Sequence, residues 1–330
     1  ITVTKLLQVL SHRLTPLPPR EAASKACRAH QRQLEFPLSV MLVRFFLLVM
    51  WLLQCLPIAI LAPLGKGLGA LLYLLARERR HITLTNLGLC FPHMTEAERV
   101  TVAKQHFAAF GRSFLERPLT WWASAERYKR LVRVEGLEHW IARKGAPTIL
   151  FVPHFAGLDM GGTRLAMEID GVSVYSKQKS ATVDKMLLRG RSRFGDQRLY
   201  SRQDGLRPVL RGIKDGYCLY YLPDMDYGPR DAIFVPFFAF PAATITGLSR
   251  VATLSGAKVL TVVTRMEKDG WTVRLGPPWQ NFPTGDLAVD TRRMNAELEA
   301  EILQAPQLLP QYLWMHKRFK TRPEGEKRVY

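Results

Sequence analysis

The stretch Thr148-Ile-Leu-Phe-Val-Pro-His154-Phe-Ala-Gly-Leu-Asp159-Met-Gly-Gly162 decides how this chain is read. Thr148–Val152 is an unbroken apolar and β-branched run, the pattern of a strand buried on both faces rather than one alternating between core and water. A proline and a glycine follow, and Gly161–Asp170 then reads as a helix. A strand that hands over to a helix opens a βαβ unit. It also sets His154 at the carboxyl end of the strand, where open α/β sheets place their sites.

Working outward, the same alternation continues. Val172–Tyr175 reads as a strand, Asp184–Phe194 and Gly205–Lys214 as helices, and Tyr217–Leu222 as a strand. Thr246–Ser255 is a helix, Lys258–Thr264 and Trp271–Leu275 are strands, and Leu287–Leu303 closes as an amphipathic helix. Upstream, Thr95 followed by Glu96 and Glu98 marks a capped helix running to about Glu116, before Pro118. The expectation is an α/β fold, a mostly parallel mixed sheet flanked by helices.

Ahead of this unit, Phe45–Leu64 contains no charged residue and has about the length a helix needs to cross hydrocarbon. A second apolar run, Leu68–Ala76, leads into Arg77, Glu78, Arg79 and Arg80. We expect an N-terminal transmembrane or membrane-anchoring helix, with the basic cluster holding the folded part on the cytoplasmic side. Gln54, Pro57 and Pro63 argue for the competing reading, a buried core helix. A cleaved signal peptide fits poorly, because the run is long, begins far into the chain and lacks a small-residue cleavage site. Residues 1–40 are basic and polar, carry the Pro16–Pro19 cluster and show no apolar period. They read as a disordered or artefactual extension, followed by an anchor and juxtamembrane segment over 41–80 and the folded domain over 81–330.

Forty-seven Lys and Arg against 28 Asp and Glu leave a net charge of +19. Such a surface attracts polyanions, whether nucleic acid, anionic lipid head groups or acidic carrier proteins. An apolar content of 47% excludes a disordered chain. Cys27, Cys55, Cys90 and Cys218 are scattered without a CxxC, so neither disulfides nor a zinc site is expected, and the folded part fits a reducing cytoplasm.

His154 and Asp159 can meet if the chain turns between strand and helix. Asp159 would then accept from one ring nitrogen, fixing the tautomer and favouring the imidazolium, while the other nitrogen takes a proton from a substrate hydroxyl. Gly157, Gly161 and Gly162 would admit a bulky substrate to the backbone, and helix-start N–H groups could receive a developing oxyanion. The spacing alone is weak, since His30–Glu35 and His93–Glu98 repeat it; only His154 follows an apolar strand. Arg191 and Arg193, in a basic stretch with Lys185 and Arg189, suit a phosphate clamp or a solvated helix face. Asp224 and Asp226 lie beyond the strand Tyr217–Leu222, where they could orient a catalytic or substrate-binding group or simply cap a turn. Two acids do not make a metal site.

Trp314, His316, Lys317, Arg318, Phe319, Lys320 and Arg322 interleave aromatics with cations, a pattern of nucleic-acid grooves and equally of anionic membrane interfaces. The apolar anchor decides for lipid and against nucleic acid. Gly65-Lys-Gly67-Leu-Gly-Ala70 mimics a dinucleotide loop but follows an apolar span rather than a strand. No GxSxG elbow exists and Cys218 reads as core, so nothing supports a covalent intermediate.

Several stretches carry a resemblance: His154-x4-Asp159, Gly190-Arg191-Ser-Arg193, Pro223-Asp224-Met-Asp226-Tyr-Gly-Pro-Arg230, Val235-Pro-Phe-Phe238 and the long Gln311–Gly325. From about Met41 to Tyr330 the chain resembles the late lipid A acyltransferases of the lauroyl-transferring type, within the wider group sharing an HX4D/E motif. Many members of that group have Glu where this chain has Asp159; either carboxylate can orient the histidine. The resemblance implies transfer of a fatty-acyl chain from acyl carrier protein to a hydroxyl of a 3-hydroxyacyl chain on an anionic lipid A precursor of the Kdo2-lipid IVA type. It implies His154 and Asp159 as catalytic residues and Arg191 as a family match, and Arg191, Arg193, Asp224 and Asp226 are read as substrate-binding residues. It also implies no metal or cofactor, and work at the bacterial inner membrane with the catalytic domain facing the cytoplasm. Two alternatives stay open: another acceptor such as a lysophospholipid, because the motif is shared, and a non-catalytic basic protein binding membrane or nucleic acid. The second explains the charge but not His154–Asp159 at a strand end.

Overall fold

A computed structural model describes residues 41–177 and 181–330. The extension expected over 1–40, with Cys27 and the His30–Glu35 pair, lies outside the described residues. In chain order the strands are β1 Val132–Glu135, β2 Thr148–Phe151, β3 Gly171–Tyr175, β4 Gln197–Ser201, β5 Cys218–Tyr221, β6 Ala232–Phe237, β7 Phe240–Ile245, β8 Lys258–Met266 and β9 Trp271–Pro278. Seven of them form one sheet in the order β1-β9-β8-β2-β5-β3-β4, and β6 and β7 form a separate antiparallel hairpin. Within the large sheet only β8 and β9 pair antiparallel, so the expected mostly parallel mixed sheet is what the chain adopts.

β2 is central and all four of its residues are buried, as an unbroken apolar run requires. Ile149 and Phe151 point into one core and Leu150 and Val152 into the other, the period-two alternation of a strand covered on both faces. The strands that sequence missed are the edge strands β1 and β4 and the β6–β7 hairpin. Val-Arg-Val-Glu and Gln-Arg-Leu-Tyr-Ser carry the charges that suit sheet edges, so no apolar run announced them. The helix expected at Gly161–Asp170 starts earlier and spans Leu158–Leu165, whereas Leu287–Leu303 has the expected bounds. Thr95 caps the helix Glu96–Glu116 through a complete capping box with Glu98.

The apolar N-terminal run differs from expectation. Phe45–Leu64 is not one helix: Met41–Leu53 and Ile58–Leu75 are separate helices, broken over Gln54–Pro57. Pro57 explains the break, because it donates no N–H to a preceding turn and drives Leu56 out of helical geometry. The helix Ile58–Leu75 is 18 residues long with mean hydropathy 1.8, so length and composition suffice to cross a membrane. One face of it, however, is locked onto Glu96–Glu116. A Cβ on Gly65 would lie 2.4 Å from the Arg112 Cα, and one on Gly69 2.2 Å from the Phe107 carbonyl oxygen. Gly65 and Gly69 of the apparent dinucleotide loop are therefore helix-packing glycines, while Gly67 faces open space. The opposite face leaves Ile60, Leu64, Leu71, Leu74 and Leu75 exposed, beside Met41, Phe45, Leu48, Trp51 and Leu52 of the shorter helix.

The C-terminal stretch also departs from its expected role as a membrane-facing tail. Trp314, Arg318 and Phe319 are buried, and Arg318 donates to the Ala243 carbonyl and to Thr244 Oγ1. The interleaved cations and aromatics are largely packing and internal ties; Lys317, more exposed, pairs with Glu78.

Candidate active site

β2 and β5 are parallel neighbours with Phe151 opposite Tyr221. Counting three residues past each gives His154 and Asp224, so the in-register pairing itself brings those side chains together. His154 Nδ1 lies 2.7 Å from Asp224 Oδ1, and the His154 amide donates to Asp224 Oδ2 at 2.9 Å. Asp224 is fully buried while His154 keeps 20% of its side chain exposed. Burial works to raise the Asp224 carboxyl, but the charge and hydrogen bonds of His154 outweigh it and hold the group below its ordinary value. With Nδ1 engaged by a carboxylate, Nε2 carries the free lone pair.

The partner expected for His154 was Asp159, and the structure corrects this. Asp159 Oδ2 lies 3.0 Å from Arg117 and its Oδ1 3.5 Å from Arg191. Burial works to raise its carboxyl, and Arg117, then Arg191, bring it below the ordinary carboxylate value. Asp159 sits in the first turn of the helix Leu158–Leu165, aimed at two guanidiniums rather than back at the imidazole.

The glycines have a second correction. A Cβ on Gly157 would meet the Trp271 ring at 2.5 Å, and one on Gly161 would meet Thr264 Oγ1 at 1.9 Å. Those two residues let the helix sit close on the sheet instead of admitting substrate; of the three, Gly162 alone lines the cavity. The loop between β2 and this helix is tied down on all sides. Ser113 Oγ donates to the Ala156 carbonyl, the Ala156 amide to Gln311, and Leu313 to the His154 carbonyl at 3.0 Å.

His154, Asp159 and Gly162 border a cavity of about 820 Å³. Arg79, Arg117, His154, Asp159, Arg191, Arg202 and His316 supply its polar side, and Leu150, Leu165, Ile169, Leu187, Val209 and Cys218 an apolar one. Leu150, Leu165, Ile169, Val209 and Cys218 are buried, so the apolar part runs inward, and two of the guanidiniums, those of Arg117 and Arg191, converge on Asp159. Cys218 is a wall residue, its thiol pushed up by burial, which agrees with the core reading. A space of this kind takes an elongated apolar group in its depth and anions beside His154.

Two expected site residues lie elsewhere. Arg193 donates to the carbonyls of Thr120 at 3.0 Å and Ala123 at 2.7 Å, so its fork is spent on the backbone. Asp226 is buried and accepts from the Thr321 amide at 2.6 Å and hydroxyl at 2.8 Å, fastening the C-terminal segment. Arg117, Arg79, His316 and the His154–Asp224 pairing were missed. For Asp224 a signal existed: Phe-Val-Pro-His154 and Tyr-Leu-Pro-Asp224 each place a polar residue directly after a proline that ends an apolar strand.

Residues 30–321 match the family described as bacterial lipid A biosynthesis acyltransferase, a match that begins ahead of Met41. The chain is 35% identical over 282 residues to the lipid A biosynthesis lauroyltransferase of Escherichia coli K12, covering 84% of this chain and 90% of that protein. It is 31% identical to the palmitoleoyltransferase of the same organism, covering 87% and 93%. To its myristoyltransferase it is also 31% identical, covering 82% and 83%.

Proposed function

This chain belongs to the bacterial lipid A biosynthesis acyltransferases, and on that premise we propose that it moves a fatty-acyl group from an acyl carrier protein thioester to a hydroxyl on a 3-hydroxyacyl chain of the lipid A precursor. The observation that carries the mechanism is the His154–Asp224 pair at the edge of a cavity with an apolar depth.

The chemistry follows from which nitrogen is free. Asp224 takes the Nδ1 proton's hydrogen bond, so His154 Nε2 accepts the acceptor hydroxyl proton as the oxygen attacks the thioester carbon. The carbonyl electrons move to oxygen, then return as the C–S bond breaks. The departing thiolate recovers the proton from His154, leaving an ester and the free carrier thiol. Asp224 stabilises the transient imidazolium, which is the part expected of Asp159. Asp159 instead keeps Arg117 and Arg191 fixed at the cavity, and with Arg79 and Arg202 they attract the phosphates of the lipid and of the carrier's prosthetic group. The apolar depth receives the acyl chain.

The exposed apolar faces of Met41–Leu53 and Ile58–Leu75 support a seat in the inner membrane, and Arg77, Arg79 and Arg80 just after them favour the cytoplasmic side. At about 1.5 Å per residue the second helix reaches roughly 27 Å, close to the hydrocarbon thickness. The test is initial rate with purified full-length protein, acyl carrier protein as donor, and either lipid A precursor or a lysophospholipid as acceptor. We expect transfer to the lipid A precursor alone and loss of at least 100-fold in His154→Ala, at the lower end of general-base contributions. Activity of His154→Ala within a few-fold of wild type would remove the general base.

A further inference from the structure

His316 lines the same cavity as His154 and has no part in the reaction as derived so far. Its Nδ1 is sealed from solvent and lacks a hydrogen-bond partner among the described residues. Its backbone is held with unusual thoroughness for a turn. Asn86 Nδ2 donates to the carbonyls of Trp314 and His316, both at 2.7 Å, and Arg79 donates to that of Met315 at 3.3 Å. The His316 amide donates to Leu313, whose own amide donates to the His154 carbonyl. Both imidazoles therefore hang from one hydrogen-bonded frame, and neither can drift relative to the other without breaking it.

Burial, followed by the charge of the neighbouring His154, brings His316 down to about 4, so the ring is neutral at cytoplasmic pH. A neutral imidazole has one N–H. Placing it on the sealed Nδ1 would strand a donor, whereas placing it on Nε2 leaves it to meet whatever occupies the cavity. The tautomer with the Nε2 proton is the one this pocket selects.

We propose that His316 donates this Nε2–H to the carbonyl oxygen of the acyl thioester and stabilises the oxyanion as the acceptor hydroxyl adds. The inference rests on the acyl-transfer reading above. The attacked carbon must lie about 3–3.5 Å from the oxygen that His154 activates, so its carbonyl oxygen falls among the groups immediately around His154. Phosphates have the guanidiniums nearby, and an anion-binding role would favour a charged ring rather than a neutral one. As the carbon–oxygen bond forms, the carbonyl pair shifts to oxygen and the hydrogen bond from His316 strengthens. When the C–S bond breaks the pair returns and the bond relaxes, with the proton never leaving His316. A rigid donor aimed where charge develops is the arrangement that lowers such a barrier without reorganisation.

The experiment compares His316→Gln, His316→Asn and His316→Leu in the full chain, with lauroyl acyl carrier protein and lipid A precursor. Carrier thiol release and lipid product are both followed. Gln can present an N–H near the Nε2 position; Asn, equally polar, is too short. We expect kcat to fall about 100-fold in Leu and Asn, with both KM values within about threefold, because one oxyanion donor is worth about that much. Gln should recover roughly tenfold over Asn at matching thermal midpoints. Leu and Asn within about threefold of wild type, Gln no better than Asn, or a loss confined to KM would each overturn the assignment. His154→Ala is measured alongside: if it stays active the general base is wrong, while the ratio of Gln to Asn still judges His316.

Discussion

Asp224→Asn isolates the contribution of one buried charge. The amide keeps the carboxylate's shape, yet Asp224 now serves two donors, the His154 amide at 2.9 Å and Nδ1 at 2.7 Å. Asn has a single acceptor oxygen. If that oxygen stays on the backbone amide, its NH2 faces Nδ1 and forces the imidazole proton to Nε2, where the base must be free. If it turns to Nδ1, the backbone amide loses its partner in a fully buried position. Either way the imidazolium formed in the reaction loses its counter-charge. With charge centres about 4 Å apart and an effective dielectric near 20, that attraction is about 4 kcal/mol. At 1.36 kcal/mol per tenfold, the expected fall in kcat is about 100- to 1000-fold. KM for the lipid acceptor should stay within about threefold, since Asp224 touches no substrate. Initial rates against both substrates, with a thermal melt to verify folding, make the measurement. Asp159→Asn, measured beside it, should raise KM more than it lowers kcat. A rate for Asp224→Asn within tenfold of wild type, or an Asp159→Asn variant that loses kcat alone, would refute the division of labour.

Three further outcomes follow from the same geometry. Arg191→Ala should raise KM for the lipid acceptor at least several-fold, with Lys restoring only part, whereas Arg193→Ala should leave KM unchanged and lower the melting temperature, because it strands the Thr120 and Ala123 carbonyls; steady-state kinetics and a thermal scan separate the two. Gly69→Ala should cost about 1–3 kcal/mol through a clash with backbone at 2.2 Å, while Gly67→Ala, with nothing within 4 Å, should be neutral or stabilising; unfolding in detergent tests the contrast. His106, buried with Nδ1 2.9 Å from the Pro310 carbonyl, is lowered by burial to about 4 in the fold against 6.5 unfolded. The unfolded chain therefore binds the proton first, and stability present above pH 6.5 should be lost as pH falls toward 4, by about 3 kcal/mol from this group at 1.36 kcal/mol per unit. A melting temperature flat across that interval would contradict the burial of a neutral ring.

Local pattern alone settles the layers, the strand that carries His154 and the family resemblance. Each rests on local pattern: an unbroken apolar run means a doubly covered strand, Thr95 with Glu98 means a helix start, and Leu287–Leu303 shows helical period from end to end. Edge strands such as Val132–Glu135 escaped because their charged residues erase the apolar signal that a buried strand must have. The broken N-terminal helix was half legible, since Pro57 stood in plain view inside a run long enough to span a bilayer. Which carboxylate serves His154 is settled only in three dimensions. Asp159 is five residues away, but the helix that starts between them carries it toward Arg117 and Arg191. Asp224 lies 70 residues along the chain, and the parallel register of Phe151 with Tyr221 delivers it to hydrogen-bond distance. Nearness along a chain decides contact only while the backbone stays local; once two strands pair in a sheet, their register decides.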